Sequence, residues 1–407
     1  LKRCIWYISK YVSPPDLASA GGRGFMIMRE LVRAGHEGVV ITSDSNALAE
    51  VPEIPGRFKC ERIDGVEFCW VRTLKYRTAK SLRRILSWLD FEWQLWRLPK
   101  GGLPFPDAVI VSSLSLLTIL NGLVLRARYR CRLIFEVRDI WPLTLTEEGG
   151  VGRWNPFVLL LGFVERIGYR KADEVVGTMP NLGEHVANVL GFPRKVHCIP
   201  MGVNRGALNH ENFTPHNPLG ALFPRGKFLV AHVGAMGISN ALDSFMACAE
   251  AMRDETRVHF VTVGDGDLRS AYERKYGQLP NLTFAPKVSK MDVPGVLAGC
   301  DLLYFSVHRS KVWRYGQSLN KVIDYMLAEK PIIASYTGYP SMVNEANCGK
   351  FVPSENYHAL RKEILHFLKM TPSERAEIGK RGREWILANR GYESLASQYF
   401  KILFPKD

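Results

Sequence analysis

Short apolar runs alternate with longer amphipathic stretches along this chain, stop once, and then resume. "CIWYIS", "GVVITS", "DAVIVSS", "RLIFEV" and "EVVGTM" have strand length and turn residues at their ends. Helical stretches such as "FMIMRELVRAGH" and "PFVLLLGFVERIGYRKA" lie between them. Buried strands separated by helices require a parallel sheet covered on both faces. The pattern pauses at residues 204–227, "NRGALNHENFTPHNPLGALFPRGK", whose Asn, Pro, His and Gly content reads as a linker. It resumes with "FLVAHVG", "VHFVTVG", "LTFAP", "DLLYFS" and "PIIAS", with helices such as "ALDSFMACAEAM" and "LNKVIDYMLAE" between. The predicted class is α/β: two doubly wound Rossmann-like domains, 1–205 and 206–390, facing each other across a cleft. The final stretch, 391–407, is predicted to be a helix that packs back on the first domain. Ligands of such sheets bind beyond the carboxyl ends of the strands.

The length of 407 residues also favours two domains, because one hydrophobic core seldom grows that large. A formal charge of +14 points to an anionic partner: nucleic acid, an acidic membrane surface or a phosphorylated small molecule. The chain contains no helix-turn-helix, zinc module or aromatic RNA-binding signature, so nucleic acid is not the expected partner. The eight cysteines show no C-x-x-C and no ligand-like clustering, which predicts buried reduced thiols in a cytosolic protein. No signal peptide is visible. The uncharged stretch 108–125 contains three serines, a threonine, an asparagine and a glycine. It reads as a strand and an apolar helix rather than a membrane span.

Chemistry concentrates at strand ends. "DLLYFS" opens into "VHRSKVWRYGQSLNK", where Arg309, Lys311, Arg314 and Lys321 bring four cations into thirteen residues without an acid. Lys321 falls in the first turn of the next helix, where the helix dipole opposes a cation. A bound phosphate resolves that conflict, with Gly316 opening the turn and Ser318 or Asn320 capping the helix. Asp324, one turn on, suits ribose hydroxyls. A solvated basic loop is the competing reading.

"VAHVGAMGISNALDSF" forms a second such loop, with Gly234 and Gly237 letting a diphosphate approach and Ser239 and Asn240 as caps. "SAGGRGFMIMREL" forms a third, with Gly21, Gly22 and Gly24 leaving Arg23 free for a ligand. A plain tight turn explains either one alone. "VGDGDLRS" reads as a structural turn. In "FEVRDIWP", Asp139 ends a buried strand and suits the orientation or deprotonation of a hydroxyl. An Asx-type turn is the alternative.

Residues 71–100 carry eight Lys/Arg against two Asp/Glu, and Leu82, Ile85, Leu86, Leu89, Trp93 and Trp96 follow helical spacing. Trp88 widens the apolar face, and Arg83 and Arg84 flank it. Such a helix lies on an anionic membrane, or it covers the first domain's sheet with its charges in water.

Together, "AGGRGFMIMRELVRAGHEGVVITS", "FEVRDIWP", "VHCIPMGV", "HVGAMGISNALDSF", "VTVGDGDL" and "YGQSLNKVIDYMLAEKPIIAS" resemble the GT-B retaining glycosyltransferases of family 4. Within that family the resemblance is to the branch that assembles bacterial O-antigen and capsular polysaccharide.

The resemblance implies a nucleotide-sugar donor on the second domain and an acceptor on the first. The family's Glu-x7-Glu element falls on Gly316 and Asp324, so the ribose-binding acid is kept and the sugar-binding acid is absent. Where relatives carry a basic pair after the Gly-rich turn, this chain has Ser239 and Asn240. Arg314, Lys321 and Lys287 would then balance the diphosphate, without metal or cofactor. UDP is the expected nucleotide, carrying a hexose or an N-acetylamino sugar. A polyprenyl-diphosphate-linked saccharide is the expected acceptor, met at the cytoplasmic face of the plasma membrane. A nucleotide-sugar 2-epimerase and a non-catalytic nucleotide- or membrane-binding protein are the competing functions.

Overall fold

A computed structural model describes residues 1–14, 22–46, 51–76, 82–205 and 217–406. Gly21, Arg77, Lys80, the side chain of Leu82 and linker residues 206–216 fall outside that set. The chain divides into two compact units, Leu1–Asn204 with Gly391–Asp407, and Arg205–Arg390.

Unit 1 is built on eight strands: β1 (Cys4–Ile8), β2 (Glu37–Ser43), β3 (Phe58–Ile63), β4 (Val66–Val71), β5 (Ala108–Ser112), β6 (Arg132–Val137), β7 (Glu174–Gly177) and β8 (His197–Cys198). Their order is β3-β4-β2-β1-β5-β6-β7-β8, parallel except for the β3–β4 hairpin at one edge. Every residue of β1 and β5 is buried, which accounts for their unbroken apolar runs. Unit 2 holds six parallel strands: β9 (Phe228–Val233), β10 (Val258–Val263), β11 (Leu282–Ala285), β12 (Leu302–Ser306), β13 (Ile332–Ser335) and β14 (Gly349–Val352). Their order is β11-β10-β9-β12-β13-β14. Among the described residues, no helix is long and apolar enough to cross a membrane.

The C-terminal helix Tyr392–Leu403 packs on the helix Gly22–Arg33, and Phe25, Met28, Leu395 and Tyr399 share one core. A buried polar knot fastens this layer. Arg23 pairs with Glu136 at 2.5 Å and donates to Ile199 O at 2.5 Å, while the hydroxyls of Tyr7 and Tyr399 donate to the same carboxylate. Arg23 holds Glu136 below the usual carboxylate range, against the opposing effect of burial. Arg23 is therefore not free to meet a ligand: its side chain has no exposed surface. Gly22 starts the helix, and Gly24 serves packing, because a Cβ there would lie 2.4 Å from the Tyr7 ring.

The cysteine expectation needs two corrections. Antiparallel pairing of β3 and β4 sets Cys60 opposite Cys69, and the two form a disulfide. Cys198 is exposed, and the other five free cysteines are buried.

Candidate active site

Sequence order reverses between β9 and β12, adjacent strands at the centre of the unit 2 sheet. In sheets of this kind the loops of two such strands part, and ligands bind beyond their carboxyl ends. Tyr325, on the helix Asn320–Leu327, fastens that helix to both strand ends. Its hydroxyl accepts from Val233 N at 2.9 Å and faces Val233 O and Tyr304 O at 3.0 and 3.2 Å. Ser306 Oγ, ending β12, donates to Asn240 O at 2.6 Å and so anchors the β9 loop.

These ties bring Lys321, Gly234 and Asn240 together. The Lys321 ammonium donates to Asn240 Oδ1, and a Cβ on Gly234 would lie 3.6 Å from Lys321 Nζ. Burial alone lowers the Lys321 amine to about 8. A desolvated ammonium held by a neutral amide is a site for an anion. His232 lies under the same turn, its ring nitrogens 3.3 Å from Tyr304 O and 3.4 Å from Ala235 O. Burial, reinforced by Lys321, lowers it to about 3, so it stays neutral and braces the turn.

The predicted caps are arranged differently. Leu319 occupies the N-cap of the Lys321 helix, with no side-chain cap bond, so neither Ser318 nor Asn320 fills that role. Ser239 and Asn240 lie within a 3-10 turn, Ile238–Asn240, with Asn240 turned to Lys321 and Ser239 exposed. Gly237 has φ −104° and open space around its Cβ position, so nothing there demands glycine. Gly316 does need to be glycine: φ is +102°, a region disfavoured for the acid that relatives place there. Beside it, Gln317 Nε2 and Trp313 Nε1 are buried donors without partners. Arg314 and Lys287 are exposed on their loops.

Asp324 pairs with Lys290 at 2.5 Å. Sequence reasoning missed Lys290 and chose Lys287 from the same loop. The Asp-rich turn after β10 is structural: Met236 N donates to Asp265 O at 2.8 Å and Leu268 N to Met236 O at 3.0 Å. Cβ atoms on Gly264 and Gly266 would strike the backbone of Gly234 and Met236.

In unit 1, Asp139 follows β6. Ser113, unforeseen from the sequence, holds the turn: its hydroxyl accepts from Arg138 N and Asp139 N and donates to Asp139 O at 3.0 to 3.3 Å. The Asx-type alternative therefore fails, and the exposed Asp139 carboxylate is left available. Crowding by protein raises its pKa, against the pull of Arg138 and Arg84. Unpartnered polar atoms of Ser112, Arg138 and Trp141 occur on the same short stretches. Lys10, at the end of β1, is fully buried with Ser43 Oγ at 3.2 Å, and burial lowers it to about 7.

The predicted membrane residues divide. Trp88 is buried and donates to Tyr11 OH at 2.7 Å, because it lies on the inward face of the helix Leu82–Arg97. Arg84 is half-buried over the Trp88 ring. Trp93 and Trp96 are 59% and 65% exposed, and Arg83 is exposed with them.

Known proteins share this fold. Residues 25–202 match the family described as "Glycosyl transferase 4-like domain", and residues 227–370 match "Glycosyl transferases group 1". The chain belongs to the GT-B glycosyltransferases. Sucrose-phosphate synthase from Thermosynechococcus elongatus is 18% identical, with a TM-score of 0.73 and 100% of both chains covered. The E. coli structure described as trehalose-6-phosphate bound with UDP-2-fluoro glucose is 13% identical, with a TM-score of 0.72 and 98% of each chain covered. WaaG, a glycosyltransferase involved in lipopolysaccharide biosynthesis, is 13% identical at a TM-score of 0.67, covering 98% of this chain and 99% of its own. No curated protein matches the sequence.

Proposed function

We propose that this glycosyltransferase moves a sugar, with retention, from a UDP-linked donor to a polyprenyl-diphosphate-linked saccharide in bacterial surface polysaccharide assembly. One observation carries the reading: the buried Lys321 ammonium over Gly234, which donates to the neutral Asn240 amide and has no carboxylate partner among the described residues. A diphosphate laid on the Gly234 turn supplies the missing anion, and Asp324 takes the ribose after exchanging Lys290 for hydroxyls. Gln317 Nε2 and Trp313 Nε1 are donors for the sugar or the β-phosphate.

As the glycosidic bond breaks, negative charge grows on the β-phosphate, and fixed donors aimed there lower the barrier. Lys321, Arg314 and the uncapped helix N–H groups supply that charge in this scheme, which calls for no metal. The acceptor hydroxyl attacks the face from which the diphosphate departs, so configuration is kept without a protein nucleophile. Asp139 orients that hydroxyl and receives its proton, a role suited to a carboxylate with a raised pKa. Exposed Trp93 and Trp96 favour work at the inner face of the plasma membrane, beside a lipid-linked acceptor.

The test supplies UDP- and GDP-sugars in EDTA, with and without a lipid-linked saccharide. Nucleoside diphosphate should appear only when the acceptor is present, with the anomeric configuration of the donor retained in the product. Asp139→Asn should slow turnover by roughly a hundredfold without weakening donor binding. Conversion of the donor in the absence of acceptor would replace transfer with epimerisation.

A further inference from the structure

Given the lipid-linked acceptor proposed above, we infer that the surface lying on the bilayer is a layer of three helices in unit 1, not the Trp-rich helix alone. The helices Leu82–Arg97, Thr118–Tyr129 and Pro156–Lys171 connect β4 to β5, β5 to β6 and β6 to β7. All three connections step in the same direction across the sheet, so right-handed crossovers put them on one face, in contact in that order.

Each helix packs one apolar face on the sheet and leaves a second in solvent. Leu86, Leu89, Trp93 and Trp96 form the outer stripe of the first helix, Leu120 and Val124 that of the second. Leu159, Leu160 and Phe163 form that of the third, with exposed Trp154 just before it. Exposed apolar side chains scattered singly are ordinary, but one helix layer carrying this many is an interaction surface.

The charges around it select the occupant. Arg83, Arg97, Arg128, Arg170 and Lys171 are exposed on these helices. The acids among them are engaged elsewhere: Asp90 with Leu74 N, Glu92 with Ser115, Thr118 and Asn121, and buried Glu165 with His185. An apolar centre with a cationic rim matches acyl chains beneath anionic headgroups. A second copy docked through the same face would set arginine against arginine.

The test measures co-sedimentation with vesicles of phosphatidylcholine alone and of phosphatidylcholine mixed with phosphatidylglycerol. The full chain should bind only the mixed vesicles. Leu160→Glu with Phe163→Glu, far from the Trp-rich helix in sequence, should weaken binding at least tenfold while nucleotide affinity stays unchanged. Arg170→Glu should weaken it by about fivefold, more at low salt than at high. Loss of binding through Trp93→Glu alone, with the Leu160/Phe163 variant unaffected, would confine contact to one helix and overturn the inference. Vesicle-independent dimers abolished by Leu160→Glu/Phe163→Glu would also overturn it, in favour of a second copy. Failure of nucleotide binding with vesicle binding intact would instead defeat the transferase reading and leave this face standing.

Discussion

Raising the pH should release the diphosphate ligand well before an ordinary lysine loses its proton. Burial lowers the Lys321 amine to about 8 in the free protein, and the anion requires its ammonium form. The charged fraction is then about nine-tenths near pH 7 and about one-tenth near pH 9, so apparent affinity should fall roughly tenfold across that interval. An unperturbed lysine would hold affinity nearly level there. Binding near pH 8.5 should also take up about three-quarters of a proton, because the phosphate restores the charge. The stability of the free protein runs the other way. Unfolding returns this amine toward its model value of 10.5, so the unfolded chain binds more protons between about pH 8 and that value. Unit 2 should therefore gain stability as pH rises through that window. Calorimetry of the nucleotide that binds, in buffers of different ionisation enthalpy, measures affinity and proton uptake together. Lys321→Arg, which stays charged, should flatten the profile. A wild-type affinity that is level between about pH 7 and pH 9, without proton uptake, would refute the electrostatic argument.

Substitutions at Gly264, Gly237 and Arg23 probe the scaffold. Gly264→Ala, at φ +145° with its Cβ 2.0 Å from Gly234 O, should destabilise unit 2 by at least about 2 kcal/mol in urea unfolding. It should weaken nucleotide binding with it, whereas Gly237→Ala, with open space around it, should do neither. Arg23→Ala leaves Glu136 buried without its cation and should cost about 3–5 kcal/mol, part of which the double variant Arg23→Ala/Glu136→Leu should restore, as read by urea unfolding of unit 1.

The alternation of buried strands with helices was legible because burial on both faces leaves a continuous apolar run, as in β1 and β9. The β3–β4 hairpin escaped notice although its turn, Asp64-Gly65 at φ 48° and 82°, carries a recognisable hairpin signature. Half-exposed β3 lacks the apolar run that marked the others. Periodicity identified the helix after β4 but gave no means of telling its two apolar faces apart. Trp88, Phe91 and Leu95 turn inward while Leu86, Leu89, Trp93 and Trp96 turn out.

At the site, Lys321, Gly234 and Asn240 were each visible as strand-end loop residues, and the switch between β9 and β12 explains why they meet. Partnerships across long sequence separations were not visible. Arg23 between glycines looked like a ligand contact until Glu136, 113 residues away, occupied it. Lys290 lies 34 residues from Asp324, and no local pattern joins them. His232 sits in an apolar run and is buried, and it also braces the Gly234 turn.

The most direct measurement is calorimetric binding of UDP and GDP, in EDTA and in Mg²⁺, to wild type and Lys321→Ala. One nucleotide should bind the wild-type protein with equal affinity in both media, and the substitution should weaken it at least tenfold, consistent with loss of a charge-assisted contact. If neither nucleotide binds, or Lys321→Ala binds as tightly as wild type, the diphosphate does not sit on the Gly234 turn and the account of the site is wrong.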